Sequence, residues 1–284
     1  MNTDTGLNQA QLRQFYEAEK RLAKELRDAP RSERLELYAK VYDELYRSVP
    51  FHPQLQRKSA GHEAARERIS RTLAFLRRFL RADMTYLEIG AGDCMLSFEV
   101  AKHVRRVYAL DVSNLITASA AKPANVEVVI SDGTSVPLSP NSVDVVLSDQ
   151  LMEHLHPDDA LEQLRNILSV MKKGARYVCI TPNALSGPHD VSQYFDDIAT
   201  GLHLKEYTYQ ELSTLFQDAG FGRVDAYIGH QRLGAYVRTP LRLVSRVESN
   251  TQLMVKGLSY EARRHTMRRL PQRLISDIRL VGTK

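Results

Sequence analysis

Between Thr85 and Thr181 the chain repeats one pattern: a short, densely apolar run, then a polar or helical stretch. The runs are TYLEI, RVYAL, VEVVI, VDVVLS and RYVCIT. Runs this short, apolar without alternation, suit strands covered on both faces, as the strands of parallel sheets are. Between the fourth and fifth, Pro157, Asp158 and Asp159 open a helix whose Leu161, Leu164, Leu168 and Met171 recur at helical spacing. Lys172, Lys173 and Gly174 close it, so acid at the start and base at the end match helix polarity. Strands joined by helices imply a parallel sheet with right-handed crossovers. Further on, Thr208-x-x-Glu211 is a capping box for a helix with Leu212, Leu215 and Phe216 inward and Gly220 at its end. RVDAYIG and DIRLVGT supply strands six and seven.

The flanks read differently. Leu12, Phe15, Leu22 and Leu26, then Leu35, Tyr38, Val41, Tyr42 and Leu45, then Ile69, Leu73, Leu76 and Leu80 mark three helices. Residues 1–82 are therefore expected to form a helical N-terminal cap. Residues 83–229 with 276–284 form the core, and 230–275 a helical insert carrying Leu241, Val244, Leu253, Leu258, Met267 and Leu270. Charge is segregated: residues 83–225 hold 20 acidic against 10 basic side chains, whereas 226–284 hold 3 against 12. Basic ends suit an anionic substrate, a nucleic acid or a membrane surface, or are simply well-solvated helices. No apolar run is long enough to span a membrane, and the N-terminus lacks an apolar signal core. With only Cys94 and Cys179, outside any metal-ligand spacing, a cytoplasmic location is expected.

The chemistry concentrates where the first strand ends, in LEIGAGDCMLS. Gly90 and Gly92 allow a tight turn and close backbone approach to a nucleotide-like ligand. A dinucleotide fingerprint needs a third glycine where Met95 stands, so a pyrophosphate is disfavoured. Asp111 ends the second strand, where a carboxylate can accept both hydroxyls of a ribose. Ser131-Asp132-Gly133 after the third strand is a corner where an adenine amine could be read. Glu88, Asp111, Asp132 and Asp149 together make an acidic pocket, which suits a cofactor with a sulfonium and an amino group.

Over residues 70–229 and the last strand, the sequence resembles the class I methyltransferases that use S-adenosyl-L-methionine. LEIGAGDC stands at that family's first motif, YALDVS at its ribose acid, SDG at its adenine corner; SVDVVLSDQLMEHL and MKKGARYVCITPN match its fourth and fifth strands. The resemblance implies an α/β, Rossmann-like, seven-stranded and mostly parallel sheet with an antiparallel last strand. It further implies that Gly90, Ala91 and Gly92 shape the turn around the methionine part and that Glu88 orients it. Asp111 with Val112 would hold the ribose, Asp132 and Gly133 the adenine, and Asp149 and Gln150 would line the methionine end. The family often has a glycine where this chain has Cys94.

Methyl transfer is an in-line displacement governed by positioning, helped by a general base when the acceptor is a hydroxyl or acidic carbon. His154 after the fourth strand, His189 after the fifth, and His203 in the following loop are the candidate catalytic residues. His154 could equally cap a helix or pack beneath a loop, while His189 and His203 lie in a segment placed to act as a lid. The expected enzyme methylates a small or medium-sized molecule, anionic if the basic ends meet it, beneath a helical cap; a homodimer through the N-terminal helices is open. The alternative is a nucleic-acid or protein methyltransferase using the basic ends. Against it, strand four lacks the N-P-P-[YF] turn of base-amine methyltransferases and no RNA-binding module is recognisable, so nucleic acid is not expected.

Overall fold

The computed structural model describes all residues except 1–5, 54, 56–61, 114–121, 231–234 and 270–271. Its strands are β1 Thr85–Ile89, β2 Arg106–Asp111, β3 Val126–Ile130, β4 Val143–Asp149, β5 Met171–Pro182, β6 Arg223–His230, β7 Ala235–Thr239 and β8 Asp277–Thr283. They form one sheet in the order β3-β2-β1-β4-β5-β8-β6-β7. The first five pair in parallel; β8 runs antiparallel between β5 and β6, as expected of the last strand. β7 is an eighth strand, antiparallel to β6 at the sheet edge and within the segment read as wholly helical. Its Tyr236 is buried while Val237 faces solvent, a two-residue period too short to stand out in sequence.

The main helices are α1 Gln9–Asp28, α2 Arg31–Ser48, α3 His62–Leu76, α4 Met95–Val100, α5 Pro157–Val170, α6 Tyr209–Ala219, α7 Leu241–Val255 and α8 Tyr260–Met267. Local chemistry explains their ends. In α5 the His156 ring accepts from the Asp158 N–H and Pro157 occupies the first turn. That helix stops at Val170, so Lys172, Lys173 and Gly174 belong to β5 rather than to the helix end. In α6 the Thr208–Glu211 capping box forms, and Gly220 takes the left-handed conformation at φ 104°.

The sheet is packed on both faces. One apolar cluster joins α1, α2, α5 and α6 through Phe15, Leu22, Tyr38, Leu45, Leu164, Ile167 and Phe216. The other joins α3 and α4 through Ile69, Leu73, Phe75, Leu76 and Val100. The N-terminal helices are thus divided between the clusters, α1 and α2 in one and α3 in the other. The tie between α2 and the sheet is polar as well as apolar: buried Arg34 grips buried Asp159 of α5 through Nε and Nη2, at 2.8 and 2.7 Å. Tyr38 donates to the same carboxylate at 2.8 Å and accepts from the His156 N–H at 2.9 Å.

Candidate active site

The turn after β1 is built by backbone. Gly90 and Ala91 N–H groups both donate to the Leu110 carbonyl, at 2.9 and 3.1 Å. Gly90 has φ 73° and faces Leu151, whose Cδ1 would lie 3.0 Å from an added Cβ. Gly92 has φ 53° and open space where a Cβ would point. Cys94 keeps the left-handed conformation, φ 59°, although it is not glycine. The fold therefore retains the third glycine's backbone shape with a buried thiol in its place.

Asp111 is fixed against this turn. Its Oδ2 accepts from Gly92 N–H at 2.8 Å, and its Oδ1 from Val112 N–H at 2.8 Å and Ser113 N–H at 3.2 Å. The two backbone donors fill Oδ1, while Oδ2 keeps a lone pair that can accept a ribose hydroxyl. Burial raises its pKa above the ordinary carboxylate value, against those backbone donors. Asp132 is locked similarly: Oδ1 accepts from Thr134 and Ser135 N–H groups at 2.9 and 2.7 Å. Burial opposes its charge, but these bonds prevail and hold it below the ordinary range. Gly133, φ 97°, lies under the Tyr38 ring, and its carbonyl accepts from Gln163 at 2.6 Å. Glu88 is buried and accepts from Ser97 Oγ at 2.5 Å; burial pushes its pKa up to about 8. Asp149 is half-buried, 3.4 Å from Thr72 Oγ1 and 3.9 Å from Arg68, and burial raises it too. Gln150 follows at φ 60°, anchored by its N–H to Ile180 at 2.8 Å.

S-adenosylmethionine fits this edge on the protein's own terms. The space beside Gly92 is open, and Asp111 and Asp132 are oriented by backbone donors with acceptor capacity left over. Helix α2 lies across the same edge. Asp43 accepts from Ser113 Oγ at 3.1 Å, Tyr38 covers Gly133, and Tyr42 meets the His154 ring edge-on at 6.1 Å.

The histidines separate into a pair and an outlier. His154 and His203 rings stand 4.8 Å apart, nearly perpendicular. Burial, with His203 beside it, drives His154 down to about 3. Burial also works against a charge on His203, but Glu206 at 2.8 Å, with Glu153 and Asp190, outweighs it and lifts His203 to about 9. His189 is not part of the pair: its Nε2 is taken by Ser186 Oγ at 3.0 Å and the Asn183 carbonyl at 3.2 Å. Nor is the loop a loose lid. Arg27 of α1 donates to the carbonyls of Thr200, Gly201 and His203, and Glu19 accepts from Leu202 N–H at 3.2 Å.

Three acids in this cluster carried no sequence signal of their own. Glu153 is fully buried, accepts from Thr181 Oγ1 at 2.8 Å, and is raised by burial to about 7. Glu19 is raised to about 8 by burial and by Asp190. Glu206 gathers His203 and the His189 N–H on one oxygen, at 2.8 and 2.7 Å. Only the tertiary fold brings residues 19, 153, 203 and 206 together.

Residues 87–179 match the family described as "Methyltransferase domain". A Mycolicibacterium smegmatis protein named "Probable S-adenosylmethionine-dependent methyltransferase" is 29% identical over 136 residues, 48% of this chain and 51% of that protein. A Mycobacterium tuberculosis H37Rv protein named "Probable S-adenosylmethionine-dependent methyltransferase Rv3030" is 30% identical over 136 residues, 48% of this chain and 47% of that one. The chain spans about half the length of the curated relatives it matches. Among solved structures, phosphoethanolamine N-methyltransferase 2 of Haemonchus contortus, with S-adenosylhomocysteine bound, aligns at TM-score 0.51 and 17% identity, covering 76% of this chain and 52% of that one. The YcgJ protein of Bacillus subtilis aligns at TM-score 0.50 and 18% identity, covering 76% and 97%. At these identities the structures speak for the fold alone. The matched methyltransferase domain spans the parallel part of the sheet, β1 to β5, and the fold is that of the Rossmann-like methyltransferase structures it resembles.

Proposed function

We propose that this chain transfers a methyl group from S-adenosylmethionine to a small or medium-sized molecule held beneath α1 and α2. The observation that carries this reading is the roof: α2 lies over the carboxyl edge of the sheet and is latched there by the Arg34–Asp159–Tyr38 network. An edge covered by Tyr38, Tyr42 and Asp43 favours an enclosed acceptor over an extended strand of nucleic acid.

The cofactor supplies an electrophilic methyl on a cationic sulfur. Asp111 would take a ribose hydroxyl, Asp132 and Gly133 the adenine, and Gly90, Ala91 and Gly92 the methionine part. Glu88 steers that turn through Ser97, while Asp149 and Gln150 line the same end. For the acceptor, His154 and His203 are the residues we favour for contact. His154, kept neutral by burial and tied to Leu202 through Nδ1, can accept a hydrogen bond from the acceptor through its other ring nitrogen. His189 holds the loop in shape through Ser186 and Asn183 instead of touching substrate.

The test is to follow label from methyl-tritiated S-adenosylmethionine in a clarified extract with added protein. Label in the low-mass fraction, absent with the Asp111→Ala variant, supports the reading. Label recovered only in acid-precipitable RNA or protein would shift the acceptor to the macromolecular alternative.

A further inference from the structure

β4 leads directly into a turn, Met152–His154, that places an acid and a histidine side by side. Glu153 is fully buried, and while its Oε2 accepts from Thr181, its Oε1 has no hydrogen-bond partner among the described residues. A buried carboxylate oxygen left bare is uncommon in folded proteins and points to a missing ligand.

What faces it is a pair of oriented imidazoles. His154 Nδ1 lies 3.0 Å from the Leu202 carbonyl, which can only accept, so that nitrogen carries the proton. His203 Nδ1 lies 2.8 Å from Glu206 Oε1, again an acceptor. Each ring is thus turned to offer Nε2, with its other nitrogen tied to a carbonyl or carboxylate, which is how metal-binding histidines are usually supported. One ligand atom from each of Glu153, His154 and His203 lies within 4.8 Å of the others. We propose that Glu153, His154 and His203 form a binding site for a divalent transition ion of the zinc type, held by two imidazoles and one carboxylate.

The donor set chooses the ion. Two nitrogens and one oxygen suit Zn2+ or a neighbouring transition ion, whereas Mg2+ and Ca2+ prefer all-oxygen shells. Ligand atoms about a tetrahedral ion at roughly 2.1 Å are about 3.4 Å apart, so binding draws these three together by at most about 1.4 Å. The supporting backbone is clamped, so the closure would fall to the side chains. The Lys205 N–H donates to the Glu153 carbonyl at 3.1 Å, and Arg27 holds the carbonyls of Gly201 and His203. Three protein ligands leave a fourth position for an oxygen from outside the protein. That such an oxygen is the methyl acceptor's rests on the function proposed above; binding of the ion does not.

The test uses the full chain, untagged and chelator-treated, titrated with Zn2+ by calorimetry and with Co2+ by visible absorption. One ion per chain, with a Kd in the micromolar range or tighter and the d–d bands of four-coordinate Co2+, is expected. Glu153→Gln and His203→Gln should each weaken Zn2+ at least 100-fold and Glu206→Gln about 10-fold, whereas His265→Gln, at an exposed histidine, should change nothing. Binding below half an equivalent, or unchanged in Glu153→Gln and His203→Gln, overturns the site and leaves His203 as an imidazolium between two carboxylates. If those variants do not fold, the parent decides alone: four-coordinate Co2+ bands at one equivalent support the site, and their absence refutes it. Binding of S-adenosylmethionine, measured on the same chain, separates the two proposals. Cofactor without metal sinks only the metal site, and metal without cofactor sinks only the proposed transferase.

Discussion

Replacing Asp159 by alanine should cost the fold more than any other single polar substitution on α5. Its carboxylate receives two guanidinium hydrogen bonds from Arg34, at 2.8 and 2.7 Å, and one from Tyr38 at 2.8 Å. Arg34 is itself buried and would retain only the Ala29 carbonyl at 2.8 Å and the more distant, exposed Asp158 at 3.9 Å. Stranding one partner of a buried pair costs about 3–5 kcal/mol. At roughly 2–4 °C per kcal/mol in a domain of this order of size, Tm should fall by about 10 °C. The pair Arg34→Met with Asp159→Leu removes both charges and should recover most of that loss. Urea unfolding of the parent, both single variants and the double variant gives the coupling directly. The pH dependence adds a sign. Burial opposes the charge of Asp159, but Arg34 and Tyr38 hold its carboxyl below the ordinary value. The stability it contributes is therefore present above the unfolded pKa and lost as pH falls below about 4. A single-variant cost under about 1 kcal/mol, or a double variant as weak as the sum of the singles, would refute the latch.

Asp111→Ala should weaken S-adenosylmethionine binding about 10–100-fold by equilibrium dialysis, through loss of a charge-assisted bond to the ribose and of the Gly92 anchor. Cys94→Gly relaxes a left-handed residue but empties a buried thiol's volume, about 1 kcal/mol each way. Its Tm should accordingly move little, and a large drop would mean that packing of the thiol dominates. Glu88, raised to about 8 from an ordinary 4.5, binds its proton more tightly folded than unfolded. Its contribution is thus complete below pH 4.5 and lost as pH rises toward 8, so the Tm advantage of Glu88→Gln should grow between pH 5 and 8; a flat difference would show Glu88 ionised in the fold. His189→Ala should keep most turnover while His154→Ala and His203→Ala each lose about 100-fold; equal losses at all three would return His189 to the acceptor site.

How far the sequence could be read follows from the range of each interaction. The five apolar runs, the Thr208–Glu211 box and the Gly220 cap are decided within a few residues, and the structure has them where the spacing puts them. Asp111 ends β2 and Asp132 follows β3, the positions that the apolar runs alone assign them. β7 was not, because Ala235–Thr239 becomes a strand only by hydrogen bonding along β6, and its one inward aromatic, Tyr236, packs with Phe75 of α3 far away in the chain. The end of α5 was misread for a related reason: Met171 pairs with Val143, so the sheet claims residues that helix polarity alone assigned to the helix.

The turn at Cys94 shows the same limit at single-residue scale. A letter string says that glycine is absent; it does not say that the backbone adopts glycine's conformation regardless. Phe98 and Cys94 N–H groups close the first turn of α4 on Cys94 and Ala91 carbonyls at 2.9 Å each. Those bonds, together with burial of the thiol, hold φ at 59° against a penalty of order 1 kcal/mol. The polar cluster is the converse case. Each histidine was visible, but what each does depends on which nitrogen is already engaged, and that is set by Leu202, Glu206, Ser186 and Asn183 through the fold. Glu153 attracts no notice beside His154 in sequence. It matters because its Oε1 is buried without a hydrogen-bond partner among the described residues, and its carboxylate lies within 4.8 Å of a ring nitrogen of both His154 and His203.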